Sequence, residues 1–92
     1  MRVATAIRDR LTRALAPESL EVIDESTAHA GHAGARPEGE SHFCVIVVSE
    51  AFRGMSALQR QRRVYQALDD LMRTDIHALR IVARLPDRPQ EA

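Results

Sequence analysis

The sequence is poor in cysteine and in aromatic residues: it has one cysteine, no tryptophan, two phenylalanines and one tyrosine. A single cysteine cannot form an internal disulfide, so paired cysteines do not replace a hydrophobic core here, and we expect a reducing compartment. The sequence also has no excess of charge of either sign, because its thirteen basic and thirteen acidic side chains cancel. No overall field draws the protein to nucleic acid or to an anionic membrane, although a local patch could still do so.

Long apolar runs are absent from the N-terminus. Charged residues interrupt the first fifteen positions: Arg2, Arg8, Asp9, Arg10 and Arg13. This pattern gives neither the continuous apolar region of a signal peptide nor a membrane span. We therefore expect a cytoplasmic protein that does not associate with a membrane.

The overall composition is that of an ordinary globular domain, with 45% hydrophobic and 28% charged residues in a chain of 92. Disorder would require fewer aliphatic residues and a larger net charge. A chain of this length buries roughly 60 to 65% of its unfolded surface, which is enough for one core. We predict a single domain over residues 1–86, followed by a flexible tail over residues 87–92, where prolines stand in a polar sequence.

Hydrophobic spacing predicts two helices. In the first, apolar residues recur at intervals of three and four: Val3, Ile7, Leu11, Ala14 and Leu15. Pro17 then limits its length. The second and longer helix begins at a capping box formed by Ser56 and Gln59 and extends to about Arg73. Its predicted apolar stripe consists of Leu58, Tyr65, Leu68, Leu71 and Met72.

Three further segments have the character of strands. Residues 19–26 and 76–84 alternate between two faces, whereas residues 42–49 (HFCVIVVS) are apolar on both faces, as in the central strand of a small sheet. Residues 27–41 have no apolar period and are too long for an ordinary hairpin connection, so we read them as a loop. The order αββααβ predicts a two-layer α+β domain, with both helices on one face of a three-stranded sheet and the other face accessible.

Four short segments, in this order, resemble the BolA family over about residues 7–86: Val22–Ser26, Ser41–Phe43, Val47–Ser49 with Phe52 and Gly54, and Ile76–Leu79. That family's fold is similar to a type II KH domain, which agrees with the predicted element order. The sequence departs from the family pattern at Gln61, since family members usually carry histidine between the two arginines. It also lacks the second glycine of a Gly-x-x-Gly loop near Gly54, so RNA binding by that route is not expected.

Three histidines are candidate metal ligands, because neutral imidazole binds iron, zinc and copper. Their spacing alone leaves open whether His29, His32 and His77 are ligands or ordinary polar residues. The resemblance implies that His77 and a loop residue, which we take as His29 with His32 in reserve, bind a 2Fe-2S cluster. It implies further that the cluster is shared in a heterodimer with a monothiol glutaredoxin, which supplies its own cysteine and the thiolate of glutathione.

Two neighbouring residues receive a structural interpretation. His42 is expected to fix the end of the loop by hydrogen bonding and is left out of the ligand set. Cys44 lies inside an apolar strand, where a free cysteine behaves as a small and unreactive hydrophobic residue.

Four arginines gather around the start of the second helix: Arg53, Arg60, Arg62 and Arg63. They could form a solvated face, a surface for a protein partner or a surface for DNA. DNA binding is the alternative function, since some BolA-like proteins are described as transcriptional regulators. A metal-free docking module is a third reading.

An enzyme is not expected, because the sequence has no glycine-rich phosphate cradle, nucleophile elbow or convergent carboxylate pair. We therefore expect an iron-sulfur adaptor in cluster trafficking or iron homeostasis.

Overall fold

The computed structural model describes residues 2–26 and 41–87. Its elements follow the predicted order, and the α+β class is confirmed. They are helix α1 (Arg2–Leu15), strand β1 (Ser19–Asp24), strand β2 (His42–Val48), a 3-10 turn (Glu50–Phe52), helix α2 (Ala57–Ala67), helix α3 (Asp69–Met72) and strand β3 (Ala78–Arg84). The predicted second helix is therefore interrupted at Leu68, and each strand is one or two residues shorter than expected.

The three strands form one mixed sheet in the order β1-β2-β3. Strand β2 lies in the centre, as its apolar character on both faces predicts. It pairs with β1 in antiparallel and with β3 in parallel orientation. The register sets Cys44 between Ile23 of β1 and Arg80 of β3. The same register sets His42, the first residue of β2, beside Ala78, the first residue of β3.

The hydrophobic core lies between the helices and one face of the sheet. From β2 it takes Phe43, Val45 and Val47, which are all buried. Helix α1 buries four residues of its predicted stripe, and the fifth, Ala14, is partly buried against the core; the four are Val3, Ile7, Leu11 and Leu15. Because side chains alternate along a strand, Cys44, Ile46 and Val48 lie on the second face, which no helix covers among the described residues.

The apolar stripe predicted for the second helix is wrong in two positions. Leu58 and Tyr65 are 58% and 40% exposed. The residue that helix α2 buries is Val64, and the inward line continues through Leu68 and Leu71 at intervals of four and three. Neighbouring helix positions are about 100° apart around the axis. When Val64 faces the core, Tyr65 therefore lies on the flank of helix α2.

The predicted capping box at the start of α2 is present. The Ser56 backbone N–H donates to Gln59 Oε1 over 2.7 Å, and the Gln59 N–H donates to Ser56 Oγ over 3.2 Å. Gly54 precedes it with a φ of 80°, a left-handed conformation that favours glycine. These features fix where the helix begins after the 3-10 turn.

Within residues 2–26 and 41–87, no helix combines the length and the apolar character needed to cross a membrane. Residues from 88 onward lie outside the described part of the chain. The domain limit at residue 86 and the flexible tail therefore stay predictions.

Candidate metal site at the start of strands β2 and β3

The parallel pairing of β2 and β3 brings two histidines together. The rings of His42 and His77 lie 5.1 Å apart between centroids, with an interplanar angle of 45°. His42 is only 6% exposed, whereas His77 is exposed. Of these two imidazoles, His77 is therefore the one accessible to another molecule.

The backbone of His77 is anchored immediately before β3, which begins one residue later at Ala78. The predicted strand began at residue 76 and included His77, so its predicted start is two residues too early. Its N–H donates to the Ser41 carbonyl oxygen over 2.7 Å, and the Ala78 N–H donates to the same oxygen over 3.3 Å. This double contact fixes the position from which the His77 side chain extends.

Two buried serines connect the end of β1 to the start of β2. Ser26 Oγ accepts from the backbone N–H of Ser41 over 2.8 Å and from that of His42 over 3.1 Å. Ser41 Oγ lies 2.9 Å from His42 Nδ1 and 3.3 Å from Ser26 Oγ. His42 thus has the hydrogen-bonding environment expected of it. Sequence reasoning missed the two serines, because buried serines follow no hydrophobic period.

The loop histidines His29 and His32 lie outside the described residues, so their role stays a prediction. The described chain stops at Ser26 and resumes at Ser41, and these two residues are hydrogen-bonded to each other. Both ends of the intervening segment are therefore held next to His42.

An ion pair borders the site on the second face of the sheet. Arg80 Nη2 of β3 lies 2.6 Å from Glu25 Oε2, which follows β1, so the pair crosses over β2. The pKa of Arg80 is raised, chiefly by its hydrogen bond to Glu25. A cavity of about 240 Å³ lies here, and it is lined by Glu25, His42, Phe43, Ala78, Leu79 and Arg80.

Cys44 is a free thiol that is 1% exposed, as predicted for a small hydrophobic residue. It lies on the second face between Ile23 and Arg80. Its burial excludes it as an accessible thiolate in this conformation.

The described residues alone do not provide a full set of metal ligands at this site. They contain no group of three or more His, Cys, Asp or Glu side chains arranged to hold a metal ion. Of this histidine pair, His77 is the candidate ligand, because His42 is buried and hydrogen-bonded to Ser41. Any metal centre at His77 therefore requires ligands from other residues or from a partner.

Three of the four arginines near α2 make hydrogen bonds within the chain. Arg53 pairs with Glu50 through two contacts of 2.8 and 2.9 Å. Arg60 donates to the carbonyl oxygens of Met55 and Ala83, over 3.1 and 3.4 Å, and Arg63 donates to that of Ala14 over 3.0 Å. Three of the four therefore contact their own chain.

The position that departs from the family pattern also has a structural contact. Gln61 Nε2 donates to the Ile81 carbonyl oxygen over 3.3 Å. Together with Arg60, Gln61 therefore attaches helix α2 to β3.

Comparison with known proteins identifies the family to which this fold belongs. The family model described as "BolA-like protein" matches residues 11–88. Mouse BolA-like protein 1 is 47% identical over 89 residues, covering 97% of this chain and 62% of the relative. The solved BolA domain of SufE1 from Arabidopsis thaliana superposes with a TM-score of 0.81 at 43% identity, covering 90% of this chain and 91% of that one.

The chain belongs to the BolA-like protein family. Two further relatives extend the comparison. SufE-like protein 1 of Arabidopsis thaliana is 45% identical over 84 residues, covering 87% of this chain and 23% of the relative. The DNA-binding transcriptional regulator BolA of Escherichia coli is 40% identical over 79 residues, covering 86% of this chain and 71% of the relative. The chain thus spans from about a quarter to under two thirds of the length of the first relatives, SufE-like protein 1 and mouse BolA-like protein 1.

Proposed function

We propose that this BolA-like protein is an iron-sulfur adaptor that binds a 2Fe-2S cluster jointly with a monothiol glutaredoxin. The heterodimer would act in cluster trafficking or iron homeostasis. The observation that carries the proposal is the exposed His77 beside the buried His42, at a position where residues 2–26 and 41–87 supply no complete ligand set. A partial site at an accessible position suits a centre completed by a second protein.

The chemistry of the available donors fits such a centre. Imidazole is an established ligand of 2Fe-2S clusters, in which histidine in place of cysteine raises the reduction potential. Cys44 is buried, so the described residues offer no accessible thiolate. The sulfur ligands would come from the glutaredoxin cysteine and from glutathione. When bound, the cluster supplies a one-electron redox centre that can also be passed on.

His29 is the proposed second ligand from this chain, with His32 in reserve. His29 follows Ser26 by three residues, and an extended chain covers at most about 11 Å in that length. Because Ser26 is hydrogen-bonded to the His42 backbone, a residue three positions after Ser26 is within reach of the histidine pair. The covalent reach supports His29 more strongly than His32, which is three residues further from Ser26.

The remaining roles belong to binding rather than to catalysis. The contact from His77 N–H to the Ser41 carbonyl would hold the ligand's backbone while the partner docks. We propose no reaction for the protein alone. A cytoplasmic location is part of the proposal, and the single free cysteine supports a reducing compartment.

The test is an anaerobic cluster reconstitution with a monothiol glutaredoxin and glutathione, followed by visible circular dichroism. Wild-type protein should change the spectrum of the glutaredoxin cluster, and His77→Ala and His29→Ala should each reduce or alter that change. His32→Ala is the matched control from the same loop and should behave as wild type. An unchanged spectrum with wild-type protein would remove the proposed function.

DNA binding is the second candidate, and the similarity to the DNA-binding transcriptional regulator of Escherichia coli favours it. Of the four arginines, Arg62 is the one offered most directly to a ligand, since it is exposed and the other three have partners within the chain. This alternative predicts duplex binding that weakens steeply with salt and is lost on replacing Arg60 and Arg62. Undetectable or salt-insensitive binding would exclude it.

A metal-free docking module is the third reading. It predicts that glutaredoxin binds equally well to wild-type protein and to His77→Ala, with no cluster in either complex. Titration of the apo partners by calorimetry, compared with the spectra above, separates this reading from the cluster adaptor.

A further inference from the structure

We infer that two buried serines hold His42 as its neutral Nε2–H tautomer, which makes His42 a hydrogen-bond donor beside His77 rather than a second ligand. The inference concerns the proton positions in the chain Ser26, Ser41, His42. Its consequence for the bound centre rests on the proposed function, but the tautomer itself is a property of the free protein.

The argument begins at Ser26, whose hydroxyl can accept two hydrogen bonds and donate one. Two backbone N–H groups, those of Ser41 and His42, donate to Ser26 Oγ over 2.8 and 3.1 Å. Both acceptor positions are therefore taken. The contact of 3.3 Å between Ser26 Oγ and Ser41 Oγ must then use the proton of Ser26.

The proton of Ser41 is assigned by the same count. Since Ser26 Oγ has no acceptor position left for it, the Ser41 hydroxyl directs its proton to its other side-chain partner, His42 Nδ1, over 2.9 Å. A nitrogen that accepts a hydrogen bond carries the lone pair, so Nδ1 is unprotonated. In a neutral imidazole the single proton is then on Nε2.

Burial keeps this arrangement in place. Ser41 is 0% exposed, Ser26 is 2% exposed and His42 is 6% exposed. An unsatisfied hydroxyl or imidazole nitrogen in such surroundings would cost free energy, so a reversed direction is disfavoured. The side-chain N and O atoms that are buried in the described residues all have hydrogen-bond partners, as a complete network requires.

The assignment separates the two histidines by function. A metal ligand needs an unprotonated nitrogen, whereas the unprotonated nitrogen of His42 faces Ser41. His42 is therefore not a ligand through Nδ1, and its protonated nitrogen Nε2 belongs to a ring whose centroid lies 5.1 Å from that of His77. Hydrogen bonds to the sulfurs of an iron-sulfur cluster are one of the factors that set its reduction potential. At the proposed site, an N–H donor from His42 would stabilise the reduced cluster, which carries one more negative charge, and would therefore raise the reduction potential.

The first experiment reads the tautomer in the free protein by long-range ¹H–¹⁵N correlation of ¹⁵N-labelled histidine at neutral pH. Wild type should show His42 protonated at Nε2 alone, and Ser41→Ala should show a measurable fraction of the Nδ1–H form. Ser49→Ala is the control, because Ser49 is equally buried and lies just beyond the other end of β2. An Nδ1–H form in wild type, or an unchanged pattern in Ser41→Ala, would overturn the inference.

The second experiment measures the reduction potential of the shared cluster. His42→Gln retains an N–H donor near the Nε2 position and should keep the wild-type potential, whereas His42→Phe should retain the cluster at a more negative potential. Loss of the cluster from both variants, with the fold intact by circular dichroism, would contradict a donor role. If the wild type forms no cluster, the proposed function fails while the tautomer result stands.

Discussion

The His77 ring lies 5.1 Å from the His42 ring, because the parallel register pairs His42 with Ala78 and the His77 N–H donates to the Ser41 carbonyl oxygen. The two side chains differ in access, since His42 is 6% exposed and His77 is open to solvent. One imidazole is therefore available to a partner, and the other is held by the buried serines. The predictions below test the residues that maintain this arrangement.

Ser26→Ala should destabilise the fold by about 2 kcal/mol, because it leaves two buried backbone N–H groups, on Ser41 and His42, without their acceptor. Ser19→Ala, which removes an exposed hydroxyl at the start of β1, should change the free energy of unfolding by less than about 0.5 kcal/mol. Urea unfolding followed by circular dichroism measures both. Equal stabilities of the two variants would show that Ser26 does not hold the start of β2.

Arg80→Ala should make Cys44 accessible. The thiol is 1% exposed on the face without helices, and the Arg80–Glu25 pair passes over its strand. We expect iodoacetamide to alkylate the native variant several-fold faster than the wild type, as measured by mass spectrometry. Arg84→Ala is the control, since Arg84 lies on the same strand and face but pairs with Val48. Equal rates in Arg80→Ala and wild type would contradict the covering role of the ion pair.

The ion pair between Arg10 of helix α1 and Asp70 of helix α3 should make a small contribution to stability that is lost in acid. Arg10 Nη2 lies 2.8 Å from Asp70 Oδ2, and this hydrogen bond lowers the pKa of Asp70. A carboxylate whose pKa is lower in the folded state stabilises above its ordinary pKa and loses that effect as the pH falls through the lowered value.

Asp70→Asn should therefore reduce the urea midpoint slightly at neutral pH and leave it unchanged in strong acid. Added salt should shrink the difference, because both groups are accessible to solvent. Asp87→Asn, at an exposed carboxylate near the end of the described chain, is the control. A difference that grows towards low pH would reverse the predicted sign.

Local patterns predicted the parts of the fold that local physics decides. The stripe from Val3 to Leu15 predicted α1, the capping box at Ser56 predicted the start of α2, and the apolar run beginning at His42 predicted the central strand. The inward face of α2 was missed, because two apolar pairs have the same spacing of seven residues. Leu58 and Tyr65 lie on one helix face, and Val64 and Leu71 lie on another. Only packing against the sheet selects between the two faces.

The candidate site depends on contacts that no local pattern contains. His42 meets His77, Ser26 meets Ser41, and Glu25 meets Arg80 through strand pairing between distant segments. The resemblance to the BolA family indicated His77, whereas the neighbouring network became visible only with the register of the sheet. The assignments to His29 and His32 stay predictions, because both residues lie outside the described chain.

The central claim is that a histidine of this chain binds the shared cluster, and pulsed electron paramagnetic resonance tests it most directly. The protein is labelled with ¹⁵N-histidine, the glutaredoxin and glutathione are left unlabelled, and the reconstituted cluster is reduced. We predict a strong ¹⁵N hyperfine coupling in wild type that is lost or altered in His77→Ala and retained in His32→Ala. A reduced cluster with no ¹⁵N coupling, or the same coupling in wild type and His77→Ala, would contradict the assignment.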